Sequence, residues 1–177
     1  MLLIIFISFI LVSLVGVVFH FMHKWFKKGF LLHIFSAINE STWEHTKLSF
    51  YPVLITMIVH YYIPGFNYVG FIGSAFFVIL TAVLLIPLLY YPIRFIIGRE
   101  IVWISISLYF VCIAISFGLE YYLVSNQIFI VNDFSAIIGI LILFILYIIF
   151  TYFPPKNFLF FDPVFKKYGE FKQRFDK

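Results

Sequence analysis

Charge is what this chain has least of. Asp, Glu, Lys and Arg make up 11% of its 177 residues, while 64% are hydrophobic. A soluble domain carries about 25% charged residues, so an ordinary water-soluble globule is excluded. Cysteine is nearly missing too. Cys112 stands alone inside an apolar run, and no intrachain disulfide can form. There is no glycine-rich phosphate loop and no nucleophile elbow, which removes nucleotide binding and the usual serine-hydrolase layout. No period-2 alternation points to a β-barrel. Nor is there a fixed-period repeat or a low-complexity tract. The most telling absence is positional. Residues 1–23, 62–70 and 125–133 contain no Lys or Arg at all.

What is present between those gaps is apolar and long. Five runs cover about residues 2–22, 42–63, 71–93, 101–124 and 134–153. Each is near the ~20 residues that carry a helix across ~30 Å of hydrocarbon. Backbone groups in lipid must pair within their own segment, so these runs read as helices. Pro52 and Pro87 lie inside two of them and predict kinks. The first run has its basic flank after it, the reverse of a signal peptide, and reads as an uncleaved anchor. If all five cross, Lys24, Lys27, Lys28, Lys47, Arg94, Arg99, Lys156, Lys166, Lys167, Lys172, Arg174 and Lys177 fall on one face. The positive-inside bias makes that face cytoplasmic. The expected fold is therefore all-α: a bundle of five transmembrane helices over residues 1–153, N-out and C-in. The loops near Asn67 and Asn126 lie outside. The net charge of +4 reads as attraction to a bilayer with an anionic inner leaflet, not to nucleic acid.

Two segments are not spans. Residues 24–41 mix Lys24, Trp25, Lys27 and Lys28 with Phe30 to Phe35, which suits an interfacial helix or a re-entrant piece. Residues 154–177 form a basic, aromatic cytoplasmic tail. It is expected either to lie on the inner leaflet or to be partly disordered.

The densest polar stretch is Asn39-Glu40-Ser41-Thr42-Trp43-Glu44-His45-Thr46-Lys47, at the start of the second run. Ser41 and Glu44 have the spacing of a capping box, and Trp43 suits an interfacial anchor. On that reading the motif only starts a helix. On the other, Glu40, Glu44 and Lys47 share a helical face, and the two carboxylates need a positive charge between them. Lys47, Arg94, Arg99 or a metal ion could supply it. Asn39, Glu40, Ser41, Glu44, His45 and Lys47 are the candidate ligand-binding cluster. Histidines gather at the same end: His20 and His23, His33, and His45. His20, His23, His45, Glu40 and Glu44 are thus candidate ligands for a divalent metal such as zinc, although no spacing matches a zinc signature. Otherwise no cofactor is expected.

The fourth run carries Ser105, Tyr109, Cys112, Ser116 and Glu120 on one stripe. Small and hydroxyl residues pack membrane helices together; the alternative is the lining of a path. The stripe is expected to be more buried than Ile106, Phe110 and Ile113. Ser135 and Gly139 suggest a further close helix contact. His60 has Glu120 or Asp133 as its possible partner.

The Asn39–Lys47 stretch, together with Pro154-Pro155 to Phe161-Asp162-Pro163 and Tyr168-Gly169, resembles a family of small bacterial multi-pass membrane proteins of unknown function. The resemblance runs along nearly the whole chain. It implies a bacterial cytoplasmic-membrane protein and brings no assigned activity with it. The Asn-Glu-Ser/Thr…Trp…His pattern is also similar to the first motif of the superfamily of alkaline ceramidases and progestin–adipoQ receptors. Those proteins hold zinc with histidines, including a late pair spaced four apart. This chain has no histidine after His60, so that pair is missing.

Three function classes follow. The first is a non-enzymatic membrane protein that binds a ligand or partner at its polar cytoplasmic cluster, as a possible homo-oligomer or with another membrane protein. The second is a small transporter or channel using the stripe of the fourth run. The third is a membrane-embedded, metal-dependent lipid hydrolase.

Overall fold

The computed structural model describes residues 1–26, 30–99 and 101–169. Lys27, Lys28, Phe171, Lys172, Arg174 and Lys177 lie outside the described residues. Six helices form among those described: α1 Leu2–Trp25, α2 Phe30–Phe35, α3 Thr42–Tyr61, α4 Phe71–Ile97, α5 Val102–Ser125 and α6 Asp133–Tyr152. A two-residue ribbon, β1 Phe161–Asp162 against antiparallel β2 Lys167–Tyr168, follows. The five apolar runs become α1, α3, α4, α5 and α6, and α2 occupies the connector.

Four of these helices, α1, α4, α5 and α6, are long and apolar enough to cross a membrane. The chain is thus an all-helical, multi-pass membrane protein. α3 falls short of the others because Glu44, His45, Lys47, Ser49 and His60 interrupt it. It sits at the centre, packed on α1, α2 and α4, while α4 also packs on α5 and α6. Exposed apolar side chains such as Leu3 and Phe6 on α1, and Ile138, Leu141 and Ile145 on α6, coat the outside.

Lipid supplies no hydrophobic drive between helices, so contacts rest on small residues and polar bonds. Pro52 illustrates both. It has no N–H, so the Leu48 carbonyl one turn earlier loses its helical donor. The Tyr109 hydroxyl of α5 lies 3.3 Å from that carbonyl and 3.2 Å from the Val12 carbonyl of α1. It reaches both because Gly16 leaves room; a Cβ there would collide with the Tyr109 hydroxyl and, at 2.7 Å, with the Leu48 oxygen. Ser49 Oγ approaches the Ala82 carbonyl of α4 at 3.2 Å. Gly139 lets α6 meet Phe76 of α4, whereas Ser135 is exposed and its N–H is capped by Asn132.

On α5, Cys112, Ser116 and Glu120 are buried as expected, and Ile106 and Phe110 are exposed. Two positions differ. Ser105 is exposed near the helix start, and Ile113 is fully buried. α5 touches both α1 and α4, so its inward face is wider than one stripe.

Candidate functional site

The two ends of the bundle carry different polar clusters. At the end bearing Asn67 and Asn126, Glu120 of α5 and His60 of α3 meet at 2.6 Å, and Ser8 of α1 lies 2.8 Å from the other ring nitrogen. One ring nitrogen thus pairs with the carboxylate and the other with the hydroxyl, so both are satisfied. All three side chains are buried. Glu120 is thus the partner of His60, while Asp133 Oδ1 instead faces the Gly73 N–H at 3.4 Å. This network ties three helices together.

The opposite end holds the Asn39–Lys47 stretch. Ser41 is the N-cap of α3 and accepts from Glu44 N–H at 3.4 Å. A full capping box would return the Glu44 carboxylate to Ser41 N–H. Here Asn39 takes that N–H at 2.9 Å. Glu44 instead reaches further back, accepting from Ile38 N–H at 3.0 Å and pairing with Lys47 at 2.7 Å. Lys47 also donates to the His33 carbonyl at 3.2 Å, and its side chain is completely buried. The pair thus fastens the α2 connector to α3.

Glu40 does not share the face of Glu44 and Lys47. It precedes the N-cap, so it is not helical, and its carboxylate points elsewhere. Its Oε2 lies 3.4 Å from His45 Nε2. His45 Nδ1 donates to the Ser41 carbonyl at 2.9 Å. The His20 ring of α1 lies beside that of His45, with centroids 5.3 Å apart. Glu40, His45 and His20 therefore come together, each half-buried. His23 and Glu44 do not join them. His23 packs edge-on against His33 at 5.0 Å, and Glu44 is committed to Lys47. Arg99 is also elsewhere, beside Ile104 and Ser105.

The tail completes this end. Residues 154–169 are folded onto the start of α3, contrary to a disordered segment. Trp43 N–H donates to the Leu159 carbonyl at 3.0 Å, Glu40 N–H to Asp162 at 2.9 Å, and Asn39 to the Gly169 carbonyl at 3.1 Å. Asp162 is buried and its second oxygen takes the N–H groups of Val164 and Phe165. Trp43 is half-buried and packs on Tyr147 and Phe160.

Between the tail and the end of α4 opens a cleft of about 440 Å³. Glu40, Thr42, Tyr90, Tyr91, Arg94 and Tyr168 give it polar groups, and Phe158, Phe161 and Pro163 an apolar wall. Arg94 approaches the Tyr90 hydroxyl at 3.5 Å, with its guanidinium 5.9 Å from that ring's centre. The Tyr91 hydroxyl holds this wall to Thr42 at 3.0 Å and to the Phe158 carbonyl at 3.2 Å. The sequence marks Arg94 only as a counter-charge, and nothing in it groups Tyr90, Tyr91 and Tyr168 with Arg94 around one cleft. The usable signal was Asp162, an acid directly before a proline in a mainly basic, aromatic tail.

No curated protein and no solved structure matches the chain. A protein-family pattern does, over residues 2–170, nearly the whole chain. The chain belongs to that family, described as "Family of unknown function (DUF6512)".

Proposed function

We propose that this protein crosses the bacterial cytoplasmic membrane five times, N-terminus out and C-terminus in, and binds an anionic ligand in the cleft at its cytoplasmic end. α3 is the fifth span. Its 20 residues reach about 30 Å. Its polar side chains are partnered inside the bundle, while Ile55, Ile58 and Val59 face outward. Among the described residues, Lys47, Arg94, Arg99, Lys156, Lys166 and Lys167 all sit towards the end that holds the cleft. The positive-inside bias makes that end cytoplasmic. Residues 1–153 form the bundle, and residues 154–169 cap it.

The single observation that carries the binding reading is the cleft itself. It joins a guanidinium and tyrosine hydroxyls to an aromatic wall beside the end of α4. Arginine suits phosphate recognition by its fork of donors, and aromatic rings suit the glycerol and acyl region of a lipid. The chemistry shared by the candidate ligands is a phosphate group, on a lipid or free. Transport through the bundle is less well supported, because Cys112, Ser116 and Glu120 are taken up in helix packing and in the bond to His60.

Binding of phosphatidic acid in mixed micelles, and of inorganic phosphate, to purified full-length protein tests the reading. The wild type should bind at least one, and Arg94→Ala should weaken that binding about tenfold or more, the loss of one charged hydrogen bond. Micelle binding without phosphate binding identifies a lipid. Binding of neither, or full binding by Arg94→Ala, refutes the site.

A further inference from the structure

We infer that His20, Glu40 and His45 form a binding site for a divalent transition metal, zinc being the best-suited ion, at the margin of the cleft. One nitrogen from each histidine and one carboxylate oxygen lie within 4.8 Å of one another. The three residues come from the end of α1, the turn before α3, and the first turns of α3. None of that arrangement follows from their spacing along the chain.

The detail that points to a cation is the orientation of His45. Its Nδ1 faces the Ser41 carbonyl at 2.9 Å, which only accepts, so Nδ1 carries the proton. In the neutral ring, Nε2 is then a lone pair, and it faces the Glu40 carboxylate at 3.4 Å. In that state the two atoms are both acceptors and can share a cation. A tetrahedral zinc with bonds of about 2.0–2.1 Å holds neighbouring donors about 3.3–3.4 Å apart. The observed separation leaves room for such an ion. A backbone carbonyl on the far nitrogen is also the usual way a ligating imidazole is oriented. Glu40 is steadied similarly, through its N–H to Asp162. His20 lies within 4.8 Å of the other two, so a side-chain swing of at most roughly 1.5 Å brings it to tetrahedral spacing.

Two imidazoles and one carboxylate suit zinc or cobalt better than magnesium or calcium. Three protein ligands leave a position for water or a ligand oxygen. The set then carries a net charge of about +1 from a divalent ion and one carboxylate. Glu40 also lines the cleft, so the ion would add to Arg94 in attracting an anion. That last role rests on the proposed cleft ligand; the metal site does not.

The test uses full-length protein in detergent, stripped with a chelator and titrated with Zn²⁺ or Co²⁺. Expected are a single ion per chain by elemental analysis and visible cobalt bands of four-coordinate intensity. Glu40→Gln and His45→Gln should each weaken binding roughly 100-fold or more, since loss of a ligand exceeds the 10–100-fold cost of losing an outer partner. His23→Gln should bind like the parent. His45→Cys guards against a fold defect: it should keep cobalt and add a thiolate-to-cobalt charge-transfer band. Absence of stoichiometric metal, unaltered binding by Glu40→Gln and His45→Gln, or an equal loss in His23→Gln would overturn the site. Arg94→Ala separates the two readings. It should lose anion binding and keep the metal, so failure of one leaves the other standing.

Discussion

Replacing Lys47 by Met keeps the length of the side chain and removes its charge. In the folded protein this leaves the Glu44 carboxylate without its 2.7 Å partner in a place where the two side chains are 2% and 0% exposed. Breaking a buried ion pair from one side costs about 3–5 kcal/mol, because the remaining charge stays desolvated. The His33 carbonyl also loses its donor, which adds about 1–3 kcal/mol if nothing replaces it. The double change Glu44→Leu with Lys47→Met removes both charges. A lone pair would then be almost neutral to delete. Here the Ile38 N–H loses its acceptor as well, so the double variant should stay destabilised by about 2–4 kcal/mol, from two orphaned backbone groups. The expected order is parent, then double, then Lys47→Met as least stable. Reversible unfolding in mixed detergent micelles, read by tryptophan fluorescence, measures it. Trp43 stacks on Tyr147 and Phe160 in this region and reports its loosening. If Lys47→Met costs less than about 1 kcal/mol, the range of an exposed pair, the ammonium is not buried against Glu44 and the reasoning fails.

Two further outcomes follow from the interior. Tyr109→Phe should destabilise by about 1–3 kcal/mol, because the Leu48 carbonyl that Pro52 leaves open loses its substitute donor; Gly16→Ala should match or exceed it, and thermal unfolding of both in detergent checks this. At the end bearing Asn67 and Asn126, Glu120→Leu should cost about 1–3 kcal/mol by orphaning His60 Nδ1, and Ser8→Ala should cost less, since His60 stays paired with Glu120; equal melting temperatures for Glu120→Leu and the parent would rule out the network.

Most of the helical layout was legible because it depends on local quantities. Run length and apolarity are properties of consecutive residues, and the ends of α3, α4 and α6 fall within a few positions of where Ser41, Gly70 and Asn132 interrupt the pattern. The site was legible only as a stretch. Glu40 and Glu44 looked like helical neighbours because i, i+4 spacing presumes a helix at both positions. The N-cap at Ser41 intervenes, and one residue outside the helix sends the Glu40 side chain towards His45. His20 and His23 looked equivalent on α1; which one meets Glu40 depends on the rotation of α1 against α3, which no spacing encodes. The cleft was illegible for the same reason. It needs the tail brought back across more than a hundred residues to Asn39 and Glu40.

α3 shows why the polar stretch and the membrane fold belong together. A helix carrying Glu44, Lys47 and His60 is poorly suited to lipid on its own, since an unpaired charge in hydrocarbon is costly. Its neighbours hide each such group: the α2 connector covers Lys47 through the His33 carbonyl, α5 and α1 cover His60, and α6 covers Thr46 through Tyr147. The polar residues thus select which helices surround α3 and in what rotation, a task that apolar contacts cannot perform in an apolar solvent. Glu40, His45 and Arg94 differ from this set. They are only partly buried or exposed, and they border the cleft or the histidine cluster. A polar group that the fold needs is enclosed. One that sits at an opening, oriented by a second residue as His45 is by the Ser41 carbonyl, is where the proposed anion and metal ion would arrive.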